Sequence, residues 1–318
     1  STIRRKGEYG NFNSLVERAK QARDLFLIIG PPGTGKTSYG LVNLLKEELL
    51  EEGTNVLLLS YTNRAVDEIC GKLVELKGEN PGFDFMRIGS ELSCSKEYRR
   101  YLMCNKLKSE DITSGERLIQ TTRVFCGTTA ALNANMPLLQ IKRFSLAIVD
   151  ESSQILEPHL IGLLSAREGN SCRIDRFVLI GDHKQLPAVV QQTPEESAVT
   201  EPELRNIHLS DCRLSLFERL LTQFKTDSGD YDEHFVYMLT KQGRMHRDIA
   251  EFPNYAFYGN RLDIVPLDHQ LLPNVRKDTG NSIITMLTTR RIAFVTAEPE
   301  KPSLSAKTNS MEARMIAA

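Results

Sequence analysis

Four short apolar runs stand out along the chain: "LFLIIG" (25–30), "VLLLS" (56–60), "LAIVD" (146–150) and "FVLIGD" (177–182). None alternates apolar with polar, and each leads into polar or Gly-rich residues. That is the pattern of strands covered on both faces, as in a parallel sheet. "VFCGTTAAL" (124–132) is a fifth candidate. Between the runs the period changes to that of a helix: Leu41, Leu44, Leu45 and Leu49 within 36–51, then Val66, Ile69 and Leu73 within 64–77. Strands alternating with helices predict a doubly wound α/β layer structure.

Two segments break this rhythm. Residues 91–120 are charged and helix-prone, which predicts a helical insertion. Residues 190–212, with "QQTPEESAVTEPEL", are acidic and Pro-punctuated and read as a surface loop. A further segment opens near "HFVYMLT" (234–240), and "RIAFVTAE" (291–298) is a strand candidate. The expected division is therefore 1–230 for a first domain and 231–318 for an incomplete second one.

Composition narrows the class. The 318 residues are 41% apolar and 25% charged, an ordinary globular balance. No apolar run approaches the roughly 20 residues that span a bilayer, and the N-terminus lacks the apolar stretch of a signal peptide. Six scattered cysteines without a CxxC pair argue against zinc or an iron–sulfur cluster and for reduced thiols in a cytoplasmic protein. The net charge of −1 neither favours nor excludes nucleic acid, because backbone N–H groups and hydroxyls also hold a single strand. The chain starts without Met and stops inside a helical pattern, so a fragment of a longer protein is expected.

The chemistry concentrates at strand ends. "GPPGTGKTS" (30–38) follows one strand and opens a helix, the context a phosphate-binding loop requires. Its glycines let successive N–H groups wrap an anion at a helix N-terminus. Gly30, Pro31, Pro32, Gly33, Thr34, Gly35, Lys36, Thr37 and Ser38 are the expected phosphate cradle. Lys36 suits the β- and γ-phosphates, and Thr37 suits Mg²⁺. "AIVDESSQ" (147–154) puts Asp150 and Glu151 at the end of another strand, where an Asp can hold Mg²⁺ and a neighbour can position water. The plainer alternative is that Asp150, Glu151 and Ser152 cap the next helix. In "LIGDHKQLPAVV" (179–190), Gln185 can donate to a phosphate oxygen and accept from water, or merely belong to an Asp-initiated turn. "SYTNRAVDEIC" (60–70) and "GTTAAL" (127–132) offer hydroxyls and amides to a sugar–phosphate backbone, or helix caps.

Taken in order, "GPPGTGKT", "SYTNRAVDEI", "GTTAAL", "VDESSQ", "GDHKQLP" and "QGRMHRDIAEFPNYAFYGNRL" resemble motifs of superfamily 1 helicases. The resemblance is strongest to the 5′-to-3′ branch that includes the nonsense-mediated decay helicase, and it spans residues 25 to about 262. It implies a P-loop NTPase of RecA-like fold with a partial second RecA-like domain, using ATP and Mg²⁺ to move along single-stranded DNA or RNA. Lys36 and Thr37 would then bind phosphate and metal, Asp150 the metal and Glu151 the water. Gln154 and Gln185 would sense the γ-phosphate, Thr62, Asn63, Thr128 and Thr129 would touch the strand, and Arg244 would reach the γ-phosphate. Gly243 stands where the family has an aromatic against adenine, and no Gln lies near Phe12, where the family's adenine reader is expected. The chain also ends before the later motor motifs, so weak ATPase from a monomer is expected, with any nuclease domain left open. The rivals are a nucleotide-dependent switch acting on a protein partner and, more remotely, a small-molecule kinase.

Overall fold

The structure, a computed structural model, describes residues 3–273, 280, 282–294 and 309–317. It forms two compact units, Ser1–Arg244 and Met245–Ala318. The first is built on seven strands: β1 (Leu25–Ile29), β2 (Val56–Ser60), β3 (Phe85–Ile88), β4 (Val124–Thr128), β5 (Leu146–Val149), β6 (Phe177–Gly181) and β7 (Val236–Met238). They lie in the order β3-β4-β2-β5-β6-β1-β7, and every neighbouring pair is parallel.

Both faces of this sheet are covered, which is why its strands read as unbroken apolar runs. Phe26, Ile28, Val56, Leu58, Val124, Cys126, Ile148 and Val178 face one core, together with Leu41, Leu44 and Leu45 of the helix behind the phosphate loop. Leu27, Ile29, Leu57, Leu59, Phe125, Val149 and Leu179 face the other. Burying each aliphatic side chain of this kind stabilises by about 1.5–3 kcal/mol. The sheet is therefore the rigid part of the unit, and groups at its strand ends inherit that rigidity.

Two strands depart from expectation. β3 was not anticipated, because Arg87 interrupts the run "FMRI". Arg87 is 1% exposed, yet its guanidinium pairs with Asp67 and donates to the Ser93 carbonyl at 3.1 Å. β7, expected to open the second domain after residue 230, instead pairs with β1 through Leu27↔Val236 and Ile29↔Met238. The first compact unit therefore runs on to Arg244.

The charged stretch after β3 is helical as expected, with turns at Glu91–Ser93 and Lys96–Tyr101 and helices at Met103–Leu107 and Ile112–Thr121. The acidic stretch 190–212 carries two short helices, Pro194–Ser197 and Pro202–Asn206, each opened by a proline within its first two positions. In the second unit, His246 caps the helix Arg247–Tyr258 through Nδ1 and the Asp248 N–H, at 3.2 Å. Of the strand expected at 291–298, residues 291–294 form no strand and the rest lie outside the described residues. No helix among the described residues is long and apolar enough to cross a membrane.

Candidate nucleotide site

The C-terminal ends of β1, β5 and β6 lie side by side and carry the phosphate loop, the carboxylate pair and the Gln185 turn. Parallel α/β sheets bind ligands at this edge. The Gly30 N–H donates to the Gly181 carbonyl at 2.9 Å, fixing the loop to the neighbouring strand. Gly33 and Gly35 both have left-handed φ, +75° and +73°, which only glycine adopts without strain. A Cβ on Gly30 would sit 2.9 Å from the Lys36 Cβ, so the loop folds back too closely for any larger residue there. The loop sequence thus sets the curvature, and the curvature aims its N–H groups inward.

Two side-chain contacts join the loop to β5. The Thr37 hydroxyl donates to Asp150 Oδ2 at 2.5 Å. Lys36 Nζ lies 2.8 Å from Glu151 Oε1. Asp150 is 1% exposed, and burial raises its carboxyl above the ordinary range, against the opposing pull of the Thr37 hydroxyl and Lys36. Glu151 has φ +52° and ψ +34°, a left-handed conformation costing a non-glycine residue roughly 1–2 kcal/mol. Strain of this size persists where surrounding contacts fix the backbone, and here they are visible. The Ser152 hydroxyl donates to the Ile180 carbonyl at 2.8 Å, and Ser153 Oγ accepts from the Asp182 N–H at 3.2 Å. Gly181 permits this approach, since a Cβ there would meet the Ser153 nitrogen at 2.9 Å.

Gln185 is held in turn. Its amide nitrogen donates to Asp182 Oδ2 at 2.8 Å, while Asp182 Oδ1 accepts from the Lys184 N–H at 3.0 Å. Asp182 forms the Asp-initiated turn that "GDHKQ" suggests, and Ser152 and Ser153 tie the carboxylate turn to β6, an adjacency that no single run reveals. Gln154 is part-buried in the turn after Glu151. Arg244 belongs to the first unit: the Gly243 N–H donates to the Gly33 carbonyl at 2.9 Å, and a Cβ on Gly33 would collide with the Arg244 Cβ. The Arg244 side chain itself is exposed.

The residues expected to touch a strand divide into two kinds. Thr62 and Asn63 are exposed, whereas Thr128 and Thr129 are 7% and 3% exposed. Both Thr62 and Thr128 cap helices, accepting from the N–H groups of Ala65 at 3.2 Å and Ala131 at 3.0 Å. The plainer reading of these threonines thus describes their local structure.

Thr37 and Asp150 present two hard oxygen donors already in contact, the donor set that magnesium prefers once phosphate and water complete its shell. Ser60 Oγ, at the end of β2, is buried without a hydrogen-bond partner, and the Asp150 N–H donates to the Leu59 carbonyl just before it. The residues fit the ion.

A family model described as an AAA domain matches residues 12–114 and 95–193, and a second model with the same description matches residues 212–318. The chain belongs to the AAA domain family. Its seven-stranded parallel sheet with a phosphate loop after β1 is the P-loop NTPase fold. This AAA domain protein is 34% identical over 307 residues to the DNA replication ATP-dependent helicase/nuclease JHS1 of Arabidopsis thaliana, covering 93% of the chain and 20% of that protein. It is 33% identical over 245 residues to DNA replication ATP-dependent helicase/nuclease DNA2 of Gallus gallus, covering 76% of the chain and 21% of that protein. The chain thus spans about a fifth of these curated relatives. Among solved structures, the Arterivirus nonstructural protein 10 (helicase) in complex with DNA aligns at TM-score 0.44 and 16% identity, over 79% of this chain and 43% of that one.

Proposed function

We propose that this AAA domain protein is the nucleotide-hydrolysing core of a nucleic-acid motor that uses ATP and Mg²⁺ to move along a single strand. The observation that carries the reading is the pair of contacts Lys36–Glu151 and Thr37–Asp150. They bring a phosphate-binding cation, two metal-ligating oxygens and a carboxylate able to orient water to one strand edge.

Lys36 and the loop N–H groups bind the β- and γ-phosphates. Thr37 and Asp150 hold the metal, which when bound neutralises charge on the phosphates. Glu151 accepts the proton of the attacking water, and Gln185, oriented by Asp182, lies ready to bond phosphate and water together. Arg244, at the loop's outer side, supplies a second cation for the charge that develops on the transferred phosphoryl group. Gln154 senses the γ-phosphate, and the exposed Thr62 and Asn63 contact the strand. Thr128 and Thr129 would need local opening to do so. The residues from Met245 onward are read as part of a second RecA-like domain, a reading supported by the second AAA match over 212–318. The names of the relatives, DNA replication helicase/nucleases, favour DNA over RNA as the strand. The unpaired cysteines support a reducing compartment.

The test is ATP turnover by the protein with no nucleic acid, with single-stranded DNA and with RNA of equal length. Stimulation by DNA at least several-fold above RNA is expected. Turnover indifferent to both strands would favour a switch that acts on a protein partner.

A further inference from the structure

The phosphate loop has an aromatic pair on its outer side that phosphate chemistry does not use. Phe12 and Tyr39 stack with ring centroids 5.8 Å apart and planes inclined by 23°. Both rings touch the loop itself: a Cβ on Gly35 would lie 2.9 Å from Tyr39 Cδ2 and 3.4 Å from Phe12 Cζ. Tyr39 is 60% exposed, although it comes only two residues after the metal-ligand candidate Thr37. An aromatic left this open beside a ligand site has an apolar face to cover.

The local backbone presents the ring deliberately. The N–H groups of both Tyr39 and Gly40 donate to the Gly35 carbonyl, at 2.9 and 3.0 Å, so the helix opens with a widened π turn over Lys36–Leu41. Such turns recur at functional sites because they re-aim a side chain. Phe12 is fixed from the other side. Asn13 Oδ1 accepts from the N–H groups of Gly7 and Tyr9 at 3.0 and 3.1 Å, and its amide donates to the Gly10 carbonyl at 2.6 Å. Fully buried Glu47 accepts from the Tyr9 hydroxyl at 2.6 Å and the Arg4 N–H at 2.5 Å. The segment before α1 (Asn13–Gln21) is thus tied down on a buried carboxylate, and Phe12 backs Tyr39 as a rigid support.

We propose that Phe12 and Tyr39 form the platform on which the base of the bound nucleotide stacks. This rests on reading the phosphate loop as the nucleotide site. With the β- and γ-phosphates in the loop and the α-phosphate at Thr37–Ser38, the sugar and base extend beyond Ser38, beside Tyr39. Stacking recognises an aromatic face and not the hydrogen-bonding edge, so it accepts any base, and a two-ring purine covers more of the platform than a one-ring pyrimidine. The pair therefore offers this chain a base contact in spite of Gly243 and of the absence of Gln near Phe12.

Calorimetric titration of the protein with Mg²⁺ and either ATP, GTP, CTP or inorganic tripolyphosphate tests this. The wild type should bind ATP and GTP within about threefold of one another and CTP more weakly. Tyr39→Ala should raise the Kd for ATP about tenfold while leaving that for tripolyphosphate unchanged, and Tyr39→Phe should keep wild-type affinity for both. Equal losses for ATP and tripolyphosphate in Tyr39→Ala would mean the ring only shapes the loop, and no loss for either would remove it from the site. Either result overturns the platform. A wild type that binds tripolyphosphate as tightly as ATP overturns the platform but keeps the phosphate loop. A wild type that binds neither overturns the nucleotide site itself.

Discussion

Exchanging Glu151 for Gln removes one charge while keeping the side-chain shape and the left-handed backbone at this position. Glu151 Oε1 holds Lys36 Nζ at 2.8 Å, with the two side chains 26% and 14% exposed. Lys36 cannot keep that partner and also reach the β- and γ-phosphates, so nucleotide binding must break the pair. An ion pair of this exposure contributes about 0.2–1 kcal/mol. Removing a carboxylate that faces a polyanion lowers the barrier to binding by a similar amount. The two effects share a sign and together amount to about 0.4–2 kcal/mol, or roughly two- to thirtyfold tighter binding at 1.4 kcal/mol per tenfold. Equilibrium titration of Mg–ATP against wild type and Glu151→Gln measures this directly. The difference should shrink as salt rises, because screening weakens both effects. Turnover should fall by about 10²-fold or more, the usual size of a lost general base. Unchanged or weaker ATP binding in the variant would refute the idea that the Lys36–Glu151 pair competes with nucleotide. Normal turnover would remove Glu151 as the group acting on water.

Lys36→Ala should abolish both nucleotide binding and turnover, since Lys36 is the one cation in the loop sequence 30–38; retained binding in the same titration would mean the phosphates sit elsewhere. Arg87→Leu should destabilise the protein by about 1.5–3 kcal/mol, the size of a lost charge-assisted hydrogen bond, because the Asp67 left behind is part-exposed and keeps the Ser95 hydroxyl. Urea unfolding measures the loss, and adding Asp67→Leu should recover part of it. Lys142 is 1% exposed, donates to the Gln120 carbonyl at 2.8 Å, and is pushed by burial down to about 8. Between that value and the ordinary 10.5, the unfolded chain binds more protons than the folded one, so stability rises with pH across the window. The stability of wild type relative to Lys142→Met should therefore climb by about 1 kcal/mol per unit between pH 8 and 10, and a flat difference would show that the buried amine titrates normally.

The strands 25–30, 56–60, 146–150 and 177–182 were legible because burial on two faces leaves an unbroken apolar signature. Phe85–Ile88 was hidden by Arg87, whose charge is matched by Asp67, a partner twenty residues earlier in the chain. Val236–Met238 pairs with β1 across some two hundred residues, and that pairing leaves no mark in a short run. The same division holds in the site. The phosphate loop is one contiguous segment whose glycines declare its geometry, and Asp150 and Glu151 follow a recognisable strand. The Ser152 and Ser153 bonds to the next strand arise only once β5 and β6 stand side by side, whereas Asp182 supports Gln185 within a single turn. Thr128 and Thr129 show the reverse: their residue types suit a polar ligand, and the fold places them, buried, at a helix start.

The hydrogen bond from Gly243 to the Gly33 carbonyl has a mechanical side. Peptide planes are stiff, and only Arg244 separates Gly243 from the point where the chain leaves the first unit. A displacement of the Gly33 carbonyl therefore pulls on the Gly243 N–H, one residue short of where the first unit ends.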